Sequence, residues 1–162
     1  KPRQPQCDTC PLMKKCVAYH LNIVEDLPIK LKKTTVKTRY FSYLFFIANN
    51  KLWLRKRTEK DIWQHLYEPF LIETLQEISL QDLRKTPLLQ SFNIKGLKHK
   101  GQSTQRLTHQ VIHANFYSIK QSQNKASLPA DGEWVLLEEI NRYAFPKTLV
   151  SFLDKYYILL EH

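Results

Sequence analysis

Between Tyr40 and Ala48 the chain reads YFSYLFFIA, nine residues of which only Ser42 is small and polar. A run that is apolar at odd and even positions alike can be a strand only where both of its faces are covered, so this stretch predicts a strand inside a sheet. Asn49-Asn50 follows, and asparagine tolerates the positive φ that a tight hairpin turn demands; KLWLRKR is therefore expected to return as the partner strand. In SLQDLRKTPLL, Ser79 and Asp82 stand at capping-box spacing with Leu80 and Leu83 facing inward, which predicts a short helix. LTHQVIHANFYSIK alternates Ile112, Ala114 and Phe116 with polar or mixed neighbours and predicts a long strand, and EWVLLEEI predicts a shorter one. Pro146 suits the first turn of a closing helix whose Leu149, Phe152, Leu153 and Tyr156 form one apolar stripe. Strands interrupted by few helices imply an α+β domain built on a mixed sheet with flanking helices.

The first forty residues lack such periodicity. Residues 1–19 carry every cysteine of the chain, and residues 20–37 mix charge with Pro28 and read as a linker, leaving 38–162 as the folded domain. A hydrophobic content of 43% with 12% aromatics is enough for a real core, and no apolar run approaches the roughly 18 residues of a membrane span. The polar, basic start is not a signal peptide, so a soluble, intracellular protein with no membrane partner is expected.

Charge narrows the partners. The formal net charge is +10, and residues 1–60 hold all of the excess. Between Asp82 and Asp131 there is no acidic residue, although Arg84, Lys85, Lys95, Lys98, Lys100, Arg106, Lys120 and Lys125 lie inside. Basic surface free of carboxylates suits a polyphosphate backbone, because each neutralised phosphate releases condensed counterions. A solvated lysine face that only keeps the protein soluble is the alternative.

CDTCPLMKKC places Cys7, Cys10 and Cys16 at C-x2-C-x5-C among Lys, Asp and Pro rather than in an apolar setting. Three thiols within ten residues suit a metal site better than a disulfide framework. Cys7, Cys10, Cys16 and His20 would close a tetrahedral zinc site, and spacing alone does not separate zinc from an iron-sulfur centre.

CDTCPLMKKCVA resembles the end of the four-iron four-sulfur loop of the MutY family of adenine DNA glycosylases, whose pattern is C-x6-C-x2-C-x5-C. On that resemblance the fourth ligand falls immediately before Lys1, so the cluster of a longer parent would be incomplete in this chain. LWLRKRTEKDIWQHLYEPF is similar to the family stretch with the Gly-Leu-Trp, Gly-Leu-Trp-Glu-Phe-Pro pattern; Trp63, Leu66, Tyr67, Glu68 and Pro69 occupy related positions, whereas Asp61 and His65 replace glycines. RLTHQVIHANFY resembles the stretch with the family's Phe-Ser-His motif, with Leu107, Thr108 and His109 in its place, and EWVLLEEINRYAFPKTL is similar to the closing segment.

The resemblance implies a Nudix (MutT-like) fold. It implies a role in base excision repair beside an N-terminal catalytic domain that removes adenine mispaired with 8-oxoguanine. This part would read the 8-oxoguanine strand through Leu107, Thr108 and His109, and would be cytoplasmic and nucleoid-associated. Thr108 and His109 offer both donors and acceptors to a base edge or phosphate, and Lys95, Lys98, Lys100 and Arg106 are the candidate phosphate contacts. A Nudix hydrolase needs glutamates clustered as Arg-Glu and Glu-Glu pairs to hold Mg ions; Glu68, Glu73 and Glu77 lack that pattern, so no hydrolytic site is expected and these carboxylates read as a solvated face. The rival readings are a stand-alone Nudix-type nucleotide hydrolase and a zinc-dependent nucleic-acid-binding module. The tryptophans and Phe41, Phe45 and Phe46 are expected in the core.

Overall fold

A computed structural model describes residues 5–29, 35–90, 92, 94, 96–120 and 128–161, with the side chains of 156–161 outside the description. It divides into two compact units, Lys1–Thr35 and Val36–His162.

In the first unit, amide-to-carbonyl bonds from Cys10 to Cys7 (3.0 Å), Met13 to Cys10 (3.0 Å) and Cys16 to Met13 (3.1 Å) wind the cysteine stretch into successive tight turns. A single helical turn α1, Val17–His20, follows. Cys7 and Cys16 are half-buried and Cys10 is exposed. The His20 imidazole donates from Nε2 to the Lys14 carbonyl at 3.0 Å. Among the described residues no group of three or more His, Cys, Asp and Glu side chains gathers as metal ligands would.

The second unit is a seven-stranded mixed sheet. Its strands are β1 (Lys37–Ala48), β2 (Lys51–Lys56), β3 (Tyr67–Glu68), β4 (Phe70–Thr74), β5 (Lys98–Arg106), β6 (Gln110–Lys120) and β7 (Gly132–Leu136). The order is β3-β2-β1-β6-β5, with β7 paired to β2 and β4 to β1. As its all-apolar run requires, β1 lies inside the sheet: it runs parallel to β6 and antiparallel to β2 and β4. Asn49 (φ 49°) and Asn50 (φ 58°) supply the left-handed turn between β1 and β2.

Alternation along β1 builds two cores. Phe41, Tyr43, Phe45 and Ile47 pack with Ile112, Ala114 and Phe116 under Leu149, Phe152 and Leu153 of the closing helix α4 (Lys147–Glu161). Phe116 and Phe152 stack with ring centres 4.0 Å apart. On the other face Leu44, Phe46, Phe70 and Ile72 meet Leu83 of α2 (Leu80–Lys85) and Leu89 of α3 (Pro87–Gln90). The Ser79 hydroxyl caps α2 by accepting from the Asp82 amide at 3.1 Å, as its spacing predicts. Trp53 and Trp63 are buried and Trp134 is half-buried against the second core. Gly132 has to be glycine, since a Cβ there would meet the Trp53 indole at 2.1 Å.

Three elements depart from the sequence expectation. The strand expected over EWVLLEEI ends at Leu136, and Leu137–Arg142 forms a 3-10 helix. The strand predicted from Leu107 begins at Gln110, because Leu107, Thr108 and His109 form the three-residue turn of a β5–β6 hairpin. β5 itself, KHKGQSTQR, has no apolar alternation to betray it. It forms by backbone pairing to β6, with a bulge between His99 and Gly101.

Candidate nucleic-acid interface

β1 pairs with β2 only through Ile47 and Ala48; from Leu44 to Tyr40 the neighbour on that side is β4. Where β2 and β4 diverge, a cavity of about 420 Å³ opens, lined by Lys37, Arg39, Arg55, Arg57, Glu59, Lys60, Asp61, Leu71 and Glu73. The period of two puts Lys37 and Arg39 on one side of β1, and likewise Arg55 and Arg57 together at the end of β2.

Ion pairs knit the floor together. The Arg39 guanidinium donates to both Glu73 oxygens, from Nε (2.7 Å) and Nη2 (2.8 Å), and from Nη1 to Asp61 (2.9 Å). Arg57 donates to Asp61 (2.7 Å) and to Glu68 (2.5 Å), and Arg55 donates to Glu68 from Nε at 3.0 Å. Glu68 is fully buried and Arg57 is 4% exposed. These carboxylates are thus counter-ions of the arginine cluster; Glu68 is fully buried, which corrects the expectation of a solvated face for it, whereas Glu73 is exposed as expected. Arg57, the buried cation among them, needs partners that water cannot supply.

The electrostatics follow from the contacts. Partial burial works to raise the Asp61 carboxyl, but the hydrogen bonds from Arg39 and the Ile62 amide outweigh it and hold it below the ordinary aspartate range. Hydrogen bonding to Glu73 raises Arg39 further, so it is a permanent cation. Burial pushes the Glu68 carboxyl up against the opposing pull of Arg57 and Arg55. Burial also raises the Tyr43 hydroxyl, which has no hydrogen-bond partner among the described residues.

The loop over 57–66 closes the cluster. His65 adopts φ 71°, its amide donating to the Arg57 carbonyl at 2.8 Å while the Arg57 amide donates to Leu66 at 2.9 Å. The similar family pattern has glycine here, and the left-handed backbone is the reason glycine suits the place. His65 therefore carries a strain of its own.

This cluster is wired to the β5–β6 turn. The Lys37 amide donates to the His109 carbonyl at 2.9 Å, and Arg39 Nη1 donates to Gln110 Oε1 at 3.3 Å, one residue beyond the turn. Leu107 is half-buried against the first core and anchors the turn, while Thr108 and His109 are exposed at its tip.

The candidate phosphate residues are not gathered there. Lys98 pairs with Ser118, and Arg106 with Val111, so they occupy opposite ends of β5. At about 3.3 Å per residue the two ends are roughly 26 Å apart. Lys100 belongs to the distant end as well, and Lys95 lies outside the described residues. Arg106 alone borders the turn. Sequence reasoning missed Lys37, Arg39, Arg55, Arg57 and Lys60; the i, i+2 spacing of the basic pairs on β1 and beside β2 was the available signal.

The opposite face holds a second cavity, of about 390 Å³, lined by residues that include Glu77, Gln102, Thr104, His113 and Asn115. His113 stacks on Tyr40 with ring centres 5.1 Å apart and meets the Thr104 hydroxyl at 3.1 Å.

A mixed sheet split along β1, with one helix over one face and a short helical pair over the other, is the Nudix architecture. The chain belongs to the NUDIX domain family, which matches residues 42–155. The adenine DNA glycosylase of Buchnera aphidicola subsp. Schizaphis graminum is 26% identical over 161 residues, covering 94% of this chain and 44% of that protein. That of Buchnera aphidicola subsp. Acyrthosiphon pisum is 34% identical over 64 residues, covering 40% of this chain and 18% of that protein. The chain thus spans less than half the length of these relatives. Among solved structures, the C-terminal domain of mouse MUTYH in complex with human PCNA has a TM-score of 0.59 at 18% identity, covering 75% of this chain and 88% of that one. A MutT protein from Methanosarcina mazei has a TM-score of 0.55 at 13% identity, covering 81% and 100%. At such identities the likeness is one of fold. The family shown is that of the NUDIX domain, and the adenine DNA glycosylases are what its sequence is similar to.

Proposed function

We propose that this chain is the strand-reading part of an adenine DNA glycosylase that acts in base excision repair on adenine mispaired with 8-oxoguanine. It works inside the cell beside an N-terminal catalytic domain and binds duplex DNA without being catalytic itself. Thr108 and His109 contact the 8-oxoguanine strand. The observation that carries this reading is the exposed hydroxyl and imidazole at the tip of a hairpin whose base is bonded to Lys37 and Arg39. A tip held this way can present donors and acceptors to a base edge with little reorganisation.

The carboxylates argue against hydrolysis by this domain. Glu68 and Glu73 are committed to arginines, and α2 carries only Asp82, which accepts from the Ser79 hydroxyl at 2.6 Å. Neither supplies the metal ligands that diphosphate chemistry requires. As part of a complete glycosylase, Cys7, Cys10 and Cys16 would be three of the ligands of a four-iron four-sulfur cluster. The decisive test replaces Thr108 and His109 by alanine in the complete glycosylase. Discrimination between 8-oxoguanine and guanine opposite adenine should fall by about tenfold or more, the worth of one or two hydrogen bonds at ~1.4 kcal/mol each. Undiminished discrimination refutes the assignment.

A further inference from the structure

We infer that the cavity where β2 and β4 diverge is a phosphodiester-binding site, and that Lys37 and Lys60 on its rim hold the backbone of the strand read by the neighbouring turn. The inference rests on the reading of this chain as a DNA-binding domain and deepens it by naming which cations touch DNA.

The argument starts from what the cations are already doing. Arg39 has all three guanidinium nitrogens bonded to Glu73, Asp61 or Gln110. Both terminal nitrogens of Arg57 are bonded to carboxylates. Arg55 is shared among Glu68, Glu59 and Asp131. These guanidiniums give the floor its field but have few protons left to donate to a ligand. The ammonium groups of Lys37 and Lys60, both exposed, are in no ion pair among the described residues, although Asp61 and Glu73 line the same cavity. The floor arginines have claimed those carboxylates. An ammonium on a flexible stem is a point-charge partner for phosphate, so the rim lysines are the groups able to take one.

Place decides between this and a merely solvated pair. The Lys37 amide is bonded to the His109 carbonyl, so a phosphate on Lys37 lies beside the turn that presents Thr108 and His109. Leu107 of the turn packs on the same side of the sheet as Lys37, because it joins the core formed by Phe41 and Phe45, which share Lys37's parity on β1. Arg106, though adjacent, has the parity of Thr104 and faces the other side of the sheet, with His113. Lys98 and Lys100, at the far end of β5, are too distant to serve the same strand segment.

The test measures binding of the 162-residue chain to a labelled duplex of about 20 base pairs, with an A:8-oxoguanine or A:guanine pair, from 50 to 200 mM KCl. Lys37→Gln with Lys60→Gln removes two charges while leaving polar side chains; Lys85→Gln with Lys147→Gln removes two charges elsewhere. The rim variant should lower the slope of log affinity against log salt by about 0.9 per lost contact, so its deficit relative to the parent is about tenfold larger at 50 mM than at 200 mM. Its preference between the two mispairs should be unchanged, since phosphate contacts carry no sequence information. The control pair should leave the slope as in the parent. A rim variant whose slope matches the parent or the control overturns the inference while leaving DNA binding standing. Loss of dGMP binding with duplex affinity intact assigns the cavity to a free nucleotide and also overturns it. A parent chain that binds no duplex at all removes the proposed function and this site together.

Discussion

Asp61 is the carboxylate on which the arginine cluster turns, and replacing it by asparagine is a test of the whole arrangement. Its Oδ2 accepts from Arg57 Nη2 at 2.7 Å and from Arg39 Nη1 at 2.9 Å, while Oδ1 accepts from the Ile62 amide at 2.7 Å. An asparagine has one oxygen and one NH2 in their place. Whichever way the amide is turned, its NH2 faces a guanidinium or a backbone N–H, so at least one donor loses its acceptor and the others lose charge assistance. An unsatisfied buried donor costs about 1–3 kcal/mol, and lost charge assistance adds about 1 kcal/mol. Allowing for partial exposure of the site, the net loss is about 2.5 kcal/mol. With a urea m-value of about 1.5 kcal/mol/M for a domain this size, the midpoint at pH 7 should fall by about 1.7 M, followed by tryptophan fluorescence. The sign with pH is set by the depressed carboxyl. A group whose folded pKa lies below its unfolded value stabilises above the unfolded value, about 3.9 for aspartate, and loses that contribution as pH falls through the folded value. The parent and Asp61→Asn should therefore differ fully at pH 7 and converge as the pH drops below about 4. A difference that is absent at pH 7, or that survives undiminished at pH 3, would show that Asp61 is not the ionised link between Arg39 and Arg57.

Further expectations address the same region. Glu68→Gln leaves the buried Arg57 with only Asp61 as counter-ion and should cost about 3–5 kcal/mol, whereas pairing Glu68→Met with Arg57→Met should recover most of the loss in the same urea assay. Recovery fails if the cluster is held by packing rather than charge. His65→Gly relieves a left-handed backbone worth about 1–2 kcal/mol at the expense of unfolded-chain entropy, for a net gain of about 0.5–1 kcal/mol in thermal unfolding. Because His65 is exposed, destabilisation there would mean that its side chain makes a contact this account omits.

The match between expectation and structure differs by element for physical reasons. YFSYLFFIA could be read because a strand buried on both faces has no other way to satisfy its apolar side chains, and the asparagine pair could be read because backbone torsion is a local property. The closing helix and the Ser79 cap are local in the same sense. β5 was illegible because it is held by backbone hydrogen bonds to β6, and KHKGQSTQR carries no apolar period to record that pairing. The strand predicted from Leu107 was misjudged at its start for a related reason. A three-residue turn costs only three residues of pairing, and nothing in Leu-Thr-His marks it by composition.

What the sequence determined by itself was therefore the local grammar: which stretches must be buried, where the chain can turn, and which residues offer hydroxyl, imidazole or cationic chemistry. Which charges stand together was decided only in three dimensions. Arg39, Arg57, Glu68 and Glu73 are separated by up to 34 positions and meet because β2 and β4 part company along β1. Side chains on different strands become neighbours through register and sheet splay, and neither quantity is written in the spacing of residues along a single strand.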